Sequence, residues 1–297
     1  MKSEKLPKLI VILGPTAAGK TGLATKLAKK FNGEIISADS RQIYKEMTIG
    51  TAQPTKKEMK TISHYLIDVI SPNENFNVAL YKKKALKIIK NIQKKDKVPF
   101  LVGGTGLYIQ AIVNNILYPK VVQQKRLRKK LEIKDKKELF QIYKKLDPKG
   151  AKFIDKENKR RLIRAIEVCQ ITKKPFWGQR RKGKPLFSNL QIGIKLSKKE
   201  LEKKISKRIE KMFKLGLEKE VKKLIKKYGW IASLQTIGYQ EWNDYFQGKI
   251  EKKIVKENIK LHTLQFAKRQ MTWFKRDKRI LWIKNYREAT KLVKKFL

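Results

Sequence analysis

The sequence predicts an α/β fold in which a parallel-sheet core carries a helical insertion. Short buried-strand patterns alternate with amphipathic helical patterns through the first 116 residues, and this alternation is typical of a parallel sheet. Strand patterns stop at Leu117, and charged helical patterns replace them as far as Phe187, after which strands return. We therefore expect residues 1–116 and 188–297 to form one core and residues 117–187 to form a separate helical domain.

The first strand leads into a sequence typical of a phosphate-binding loop. Leu9 to Leu13 is an apolar run, Gly14 to Thr21 fits G-x-x-x-x-G-K-[ST], and a helical pattern follows at once. Loop amides and a helix N-terminus can surround an anion, Lys20 adds positive charge, and the Thr21 hydroxyl can bind Mg²⁺. This context favours a P-loop NTPase-like core over a glycine-rich turn that matches by chance. The candidate phosphate-binding residues are Gly14, Pro15, Thr16, Ala17, Ala18, Gly19, Lys20 and Thr21.

The second strand, Gly33 to Ser37, is followed closely by Asp39. Ligands of an open α/β sheet bind at the carboxyl ends of the strands, so Asp39 is expected to face the phosphate loop. Asp39 or Ser40 could instead cap the turn that follows. The residues alone leave both interpretations open.

Two more strand patterns complete the first half of the core. His64 to Val69 includes Asp68, which is interpreted either as an acid that holds Mg²⁺ through water or as a turn former. Val98 to Val102 ends in two glycines and Thr105, a pattern that allows a substrate to approach the backbone closely beside a hydroxyl group.

The segment from residue 117 to 187 is predicted to be helical, with Arg160, Arg161 and Arg164 clustered in one helix. A guanidinium group suits phosphates and base edges. The single cysteine, Cys169, lies in the apolar register of that helix and is expected to be a core residue. One cysteine also excludes an internal disulfide and a cysteine-based zinc finger within this chain.

The second half of the core begins with a strand from Gln191 to Leu196 and a capping box at Ser197. The helix that follows contains Arg208. A long helical pattern from Ile254 to Lys275 ends in basic residues interleaved with aromatics. That mixture suits nucleic acid, or equally a core helix with a solvated basic face.

The chain of 297 residues carries a net charge of +48, and its sequence pI is about 10.3. Basic surfaces bind phosphate backbones by releasing counterions, although a lysine-rich surface can also reflect an AT-rich genome. Residues 117–187 hold 24 basic and 7 acidic residues, the highest charge density in the chain, which favours a nucleic-acid-binding module. No apolar run is long enough to span a membrane. Because Met1 to Lys5 leads directly into the first strand, we expect no signal peptide and a cytoplasmic protein.

Eight segments of the chain resemble the bacterial tRNA dimethylallyltransferases, in the order and near the spacing of that family. They are G-P-T-A-A-G-K-T, D-S-R-Q-I-Y, I-G-T-A-Q-P, H-Y-L-I-D, V-G-G-T-G-L-Y, R-R-L-I-R-A-I-E-V, I-G-Y-Q and K-R-Q-M-T-W-F-K-R. Members transfer a dimethylallyl group from dimethylallyl diphosphate to the exocyclic amine of the adenosine on the 3′ side of the anticodon, in tRNAs that read codons beginning with U. The resemblance therefore implies this activity, with diphosphate released and Mg²⁺ as cofactor, in a chain that acts as a monomer.

The resemblance also implies roles for individual residues. The loop Gly14 to Thr21 would hold the donor diphosphate, with Lys20 and Arg208 stabilising the leaving group and Thr21 binding the metal. Asp39 would be the general base for the adenosine amine, and Thr105 would hydrogen-bond that amine. Ala18 replaces a serine common in the family, with little expected loss because loop amides do most of the binding.

The family's tRNA contacts map onto four segments, Thr105 and one further arginine, Arg126, which is matched less securely because its segment is one residue short. These residues are Asp39, Ser40, Arg41, Gln42, Thr105, Arg126, Arg160, Arg161, Leu162, Ile163, Arg164, Gln235, Gly238, Tyr239, Gln240, Lys268, Arg269, Gln270, Trp273 and Arg276.

Two other functions are compatible with the loop. A small-molecule or nucleoside kinase would turn over ATP and would need no basic insertion. A nucleic-acid-binding protein with a phosphate loop would lack transfer chemistry. Incorporation of a labelled dimethylallyl group into tRNA distinguishes all three.

Overall fold

A six-stranded parallel sheet is the centre of the larger of two structural units. The computed structural model describes residues 6–119, 121–179 and 181–297, except for the side chains of Lys56 and Lys57, so the expectation for Met1 to Lys5 lies outside the described residues. The sheet has the order β3-β2-β4-β1-β7-β8. The strands are β1 (Lys8–Leu13), β2 (Gly33–Ser37), β3 (His64–Tyr65), β4 (Val98–Gly103), β5 (Ile116–Leu117), β6 (Arg181–Lys182), β7 (Ser188–Ile194) and β8 (Ile280–Ile283).

Strand β1 lies between β4 and β7, with Ile10 opposite Phe100 on one side and Leu190 on the other. Alternate residues of β1 enter separate cores on the two faces of the sheet, as a strand with helices on both faces requires. Leu9, Val11 and Leu13 join one core, and Ile10 and Ile12 join the other. The carboxyl end of β1, where the phosphate loop begins, is therefore anchored at the middle of the molecule's larger sheet.

Thirteen α-helices lie in the described part of the chain, and two 3₁₀ turns cover Trp177–Gln179 and Gln240–Trp242. The helices are α1 (Lys20–Lys30), α2 (Lys56–Thr61), α3 (Val78–Gln93), α4 (Gly106–Val113), α5 (Lys125–Glu132), α6 (Lys136–Leu146), α7 (Pro148–Ala151), α8 (Lys159–Thr172), α9 (Lys198–Lys214), α10 (Leu217–Tyr228), α11 (Asn243–Phe246), α12 (Lys252–Phe274) and α13 (Tyr286–Phe296). The capping box predicted at Ser197 is present at the start of α9, where Glu200 completes it. None of the described helices is both long and apolar enough to cross a membrane.

The second unit covers residues 114–185 and has its own apolar core, which contains Leu139, Tyr143 and Cys169. Its helices are α5 to α8, and the short strands β5 and β6 pair antiparallel within it. The larger unit comprises residues 1–113 and 186–297. The sequence-based limits of 117 and 187 thus differ by two or three residues from this division, because two-residue strands leave no periodic signal in a sequence.

Two predicted elements differ from the structure. The strand expected from His64 to Val69 is only two residues long, because Leu66 and Asp68 have positive φ angles of 62° and 55° and turn the chain. The helix expected from Ala151 to Cys169 begins only at Lys159, as α8, where the Asn158 side chain caps it.

Candidate active site

The phosphate loop adopts a conformation that depends on left-handed backbone angles. Gly14 has φ 146°, Ala17 has φ 61°, and Gly19 at the N-cap of α1 has φ 88°. The Lys20 Nζ atom donates to the carbonyl oxygens of Pro15 at 2.7 Å and Gly14 at 3.1 Å. The lysine therefore folds back over the loop, close to the amides of the first turn of α1, which have no acceptors within their own helix.

Two basic side chains share the space above the loop. Burial lowers the pKa of the Lys20 ammonium to about 8, against the opposing effect of the Asp39 carboxylate and with a further contribution from Arg208. Burial also lowers the pKa of Arg208, and Asp39 opposes that shift as well. Two cations held together with little solvent favour a bound anion, because its charge replaces the hydration they have lost.

Side chains from the far end of the sequence hold the loop in place. The Thr16 amide donates to Gln270 Oε1 at 2.8 Å, and Arg208 Nη1 donates to Thr16 Oγ1 at 3.0 Å. Gln270 Nε2 donates in turn to the Gly104 carbonyl at 2.9 Å. Gln270 is only 6% exposed, so the structure makes it a clamp between the loop and the end of β4, which corrects the expectation that it contacts tRNA.

Asp39 has both of the roles that the sequence left open. Its Oδ1 atom accepts the amides of Arg41 at 2.8 Å and Gln42 at 3.3 Å, so it caps the turn after β2. Within the described part of the chain, Oδ2 has no hydrogen-bond partner, and Asp39 lines the cavity beside the phosphate loop. One oxygen fixes the carboxylate and the other is available for chemistry.

Thr105 lies next to Asp39 because the ends of β2 and β4 are joined. The Thr105 amide donates to the Ala38 carbonyl at 3.1 Å, and its Oγ1 accepts the Ser40 amide at 3.1 Å. The glycines before it serve packing within the protein. A Cβ on Gly103 would lie 2.2 Å from the Ala38 carbonyl oxygen, and one on Gly104 would lie 2.3 Å from Gln270 Nε2. The expectation that they also let a substrate approach the backbone stays a prediction.

A cavity of about 290 Å³ connects these groups to an apolar wall. Its polar lining includes Thr16, Asp39, Ser40, Thr105 and Arg208. Its apolar wall is formed by Ile205, Ile209, Met212, Ile237, Ile259 and Phe266. The sequence pattern did not predict that the apolar face of α9 lines a cavity. The missed signal is the spacing of Arg208, which lies three residues after Ile205 and four before Met212 and so shares their face of the helix.

Arg41 and Gln42 are half-buried and bonded within the protein. Arg41 Nη1 donates to the Ser233 carbonyl at 3.4 Å, and Gln42 Nε2 donates to the carbonyls of Ala52 at 3.1 Å and Thr51 at 3.3 Å. Asp68 is exposed, and its Oδ1 accepts the Glu46 amide at 3.2 Å. Asp68 is thus a turn former and lies outside the lining of the cavity.

The segment from 235 to 240 divides between surface and core. Gln235 and Gln240 are exposed, and Gly238, with φ 95°, lines the cavity. Tyr239 is fully buried and donates its hydroxyl to Glu220 Oε1 at 2.7 Å, so the expectation of a tRNA contact by this side chain is corrected.

The end of α12 carries a basic surface. Lys268, Arg269 and Arg276 are exposed and, with Thr272 and Trp273, line a second pocket of about 250 Å³. Trp273 is half-buried and packs so closely on Gly106 that a Cβ there would lie 2.3 Å from its ring. The ring therefore packs beneath this basic surface and is only partly exposed on it.

In the second unit, the predicted RNA-binding residues fall into two groups. Arg126, Arg160 and Arg161 are exposed. Leu162 and Ile163 are buried in the apolar core of the unit, which corrects the expectation that their side chains contact RNA.

Arg164 is engaged by Glu167, a fully buried carboxylate on the same helix. Arg164 Nη1 lies 2.6 Å from Glu167 Oε2, and Arg128 binds the carboxylate with Nε at 2.9 Å and Nη2 at 2.7 Å. Burial alone would raise the pKa of Glu167, but the hydrogen bonds from Arg128 and Arg164 outweigh it and hold the pKa at about 2. Of the three clustered arginines, Arg164 therefore has a structural role as a partner of Glu167.

The candidate metal ligand Thr21 lies in the first turn of α1. Among the described residues, no three or more His, Cys, Asp or Glu side chains are grouped to hold a metal ion. Mg²⁺ commonly takes one or two protein oxygens and completes its shell with water and substrate phosphates. A lone hydroxyl beside an anion site therefore fits a magnesium ion that arrives with a phosphate ligand.

Comparisons with known proteins agree over almost the whole chain. A model of the IPP transferase family matches residues 42–277. The tRNA dimethylallyltransferase of Microcystis aeruginosa is 45% identical over 283 residues, covering 95% of this chain and 89% of that protein. The tRNA dimethylallyltransferase of Acetivibrio thermocellus is 44% identical over 288 residues, covering 94% and 92%.

Two solved structures are also similar. The tRNA isopentenylpyrophosphate transferase of Bacillus halodurans has a TM-score of 0.72 and 34% identity, covering 97% of this chain and 95% of that one. A eukaryotic dimethylallyltransferase, solved acting on tRNA, has a TM-score of 0.82 and 26% identity, covering 98% of this chain and 77% of that one.

Proposed function

The chain belongs to the IPP transferase family and is a tRNA dimethylallyltransferase; from that premise we propose its detailed reaction. It transfers the dimethylallyl group of dimethylallyl diphosphate to the exocyclic amine of the adenosine on the 3′ side of the anticodon, in tRNAs that read codons beginning with U, and releases diphosphate. The observation that carries this proposal is the cavity, whose lining combines Thr16 of the phosphate loop, the Asp39 carboxylate and the Thr105 hydroxyl with an apolar wall.

The donor diphosphate lies in the loop from Gly14 to Thr21. Its negative charge grows as the allylic C–O bond breaks, so charges already held in place lower the barrier. Lys20 and Arg208 supply that charge, and the Arg208 guanidinium is already bonded to the loop through Thr16. A magnesium ion bound by Thr21 would neutralise the diphosphate further. The five-carbon tail lies against the isoleucine and methionine side chains of α9.

The acceptor amine is placed by Asp39 and Thr105. The nitrogen forms a bond to the allylic C1 atom, the bond from C1 to the diphosphate oxygen breaks, and the amine proton passes to Asp39 Oδ2. An adenosine amine is a weak nucleophile, so a carboxylate within hydrogen-bond reach assists it. The target base leaves its stack to enter the cavity. Contacts to the rest of the tRNA are assigned to exposed basic residues: Arg126, Arg160, Arg161, Lys268, Arg269 and Arg276.

A labelling experiment tests this reaction. The protein is incubated with radiolabelled dimethylallyl diphosphate, Mg²⁺ and unmodified tRNA, without ATP, and label in the tRNA is counted. We expect incorporation, and we expect none into a matched tRNA in which the adenosine 3′ of the anticodon is replaced by guanosine. Label in neither tRNA, or ATP-dependent phosphorylation instead, would overturn the proposal.

Replacing the general base provides the first prediction. Asp39→Asn keeps the size of the side chain and an oxygen that can cap the turn, but it removes the proton acceptor, so turnover should fall by about 10²- to 10⁴-fold. Binding of tRNA, measured by filter retention, should stay within about threefold, because the contacts to RNA remain. Near-normal turnover of Asp39→Asn would show that another group accepts the proton.

A further inference from the structure

One carboxylate outside the cavity organises a loop that forms part of its wall. Glu220, in the first turn of α10, accepts the amides of Thr48 at 3.1 Å, Ile49 at 2.7 Å and Gly50 at 3.0 Å. Its Oε1 atom also accepts the Tyr239 hydroxyl at 2.7 Å. Three consecutive amides that point at one site form a nest of the kind that binds anions. Here a carboxylate of the same chain fills the nest.

The loop that Glu220 holds is bonded to Arg208, the arginine proposed to stabilise the diphosphate. Gly50 and Thr51 line the cavity, and the Thr51 carbonyl accepts Arg208 Nη2 at 3.2 Å. The other terminal nitrogen of Arg208 donates to Thr16 of the phosphate loop. The guanidinium therefore donates hydrogen bonds to two loops: the phosphate loop at Thr16 and the loop held by Glu220 at Thr51.

The packing around Glu220 leaves the loop little freedom. Tyr239 is fully buried, and a Cβ on Gly50 would lie 2.4 Å from its ring, so the tyrosine presses directly on the loop that the carboxylate holds. Gln42 Nε2 donates to the Thr51 carbonyl as well, and the Gln42 amide is bonded to Asp39. A shift of Thr51 would therefore displace Arg208 directly, whereas Asp39 is linked to Thr51 only through Gln42.

We propose that Glu220 is a positioning residue for prenyl transfer, which fixes the Thr51 carbonyl and so aims Arg208 at the leaving diphosphate. The inference rests on the proposed function, because it gives Arg208 a role in the reaction. It predicts that Glu220 affects the chemical step through Arg208 and has no separate effect on tRNA binding. A residue that served folding alone would lower stability without this dependence on Arg208.

The first test compares two glutamates of the same helix. Glu220→Ala should lower kcat by about 10- to 100-fold, the usual cost of a misplaced catalytic group, with KM for tRNA changed by less than about twofold. Glu218→Ala is the matched control, since Glu218 also accepts a tyrosine hydroxyl and a lysine, Tyr245 and Lys252, but does not contact the loop. We expect Glu218→Ala to keep wild-type kcat. If Glu220→Ala does not fold, Glu220→Gln, which keeps one acceptor oxygen, should show an intermediate loss.

The deciding test is a double-mutant cycle with Arg208→Ala. If Glu220 acts through Arg208, adding the Glu220 substitution to Arg208→Ala should lower kcat by less than about twofold, because the group it positions is already gone. Losses that multiply in the double variant, at matched thermal stability, would overturn this inference while leaving the proposed function intact. A wild-type chain that transfers no label would overturn the proposed function, and this inference with it.

Discussion

At the scale of single residues, the site depends on side chains that have two partners each. Asp39 caps a turn with one oxygen and leaves the other for the cavity, and Gln270 joins the phosphate loop to the end of β4. Arg208 joins the phosphate loop to Thr51. Each of these groups is held in place before any ligand arrives, which reduces the reorganisation needed during the reaction.

Lys20 should make ligand binding depend on pH. Its pKa of about 8 means that the ammonium loses its proton as pH rises through that value, whereas a bound diphosphate would favour the protonated form. Affinity for inorganic diphosphate should therefore fall above pH 8, and binding near pH 8 should take up protons. Calorimetry in buffers with different ionisation enthalpies measures this uptake.

The matched variant for this measurement is Lys20→Met, which removes the titrating group and retains most of the side-chain length. Diphosphate takes up some protons of its own, so the difference between the two proteins reports Lys20. Equal proton uptake by wild type and Lys20→Met would show that the lysine keeps its proton throughout.

The sequence predicted the residues that carry chemistry better than those that form surfaces. Asp39, Thr105 and Arg208 line one cavity. Asp39 and Thr105 were identifiable at the ends of predicted strands, whereas Arg208 was assigned only through the resemblance to the family. Gln270 and Tyr239 were assigned to RNA but are buried. Burial of a polar residue depends on which distant segment packs over it, and one sequence contains no record of that packing.

At the scale of elements, α9 shows how one helix combines packing and chemistry. Its capping box fixes where it begins, and its face then presents Ile205, Arg208 and Ile209 to the same cavity. Periodicity predicts such a face but does not say whether the face meets a core or an enclosed space. The apolar wall of the cavity was therefore the part of the site that remained unpredicted.

Helix α8 depends on the buried network around Glu167. Glu167→Ala would leave Arg128 and Arg164 without their shared partner. The unit should lose on the order of 2 kcal/mol of unfolding free energy, less than the loss of about 3–5 kcal/mol for a fully buried pair, because both arginines are partly exposed. Urea unfolding followed by circular dichroism measures this loss. Glu157→Gln, which breaks an exposed pair with Lys136, should leave stability near wild type.

The same network gives stability a defined pH dependence. The pKa of Glu167 is lowered from 4.5 to about 2 on folding, so its contribution is complete above pH 4.5 and is lost as pH falls toward 2. The wild-type protein should lose this part of its stability over that interval, and Glu167→Gln should not. If the unfolding free energy of the two proteins fell equally between pH 4.5 and pH 2, the pH dependence would not come from Glu167.

At the scale of the whole molecule, the chain forms two units, residues 1–113 with 186–297 and residues 114–185. The alternating patterns predicted the parallel sheet and its interruption, and the boundaries missed by a few residues at β5 and β6. The net charge is +48, and which basic residues contact RNA must be sorted by experiment.

The salt dependence of tRNA binding performs that sorting. Arg161 is exposed on the basic unit, and Arg161→Ala should reduce the slope of log affinity against log salt concentration by about 1. Lys30→Ala is the control. Lys30 is the last residue of α1, which begins at the phosphate loop, so Lys30 lies at the end of the helix away from that loop. An equal change in slope for both variants would mean that the charge acts as a diffuse whole.

The clamp on the phosphate loop also has a consequence for the time at which the protein becomes active. The loop near the start of the chain is bonded to Arg208, 192 residues later than Thr16, and to Gln270, 254 residues later. During synthesis, the chain must therefore leave the ribosome at least as far as Gln270 before the loop has its final partners. We therefore expect the donor site to assemble only after Gln270 has emerged from the ribosome.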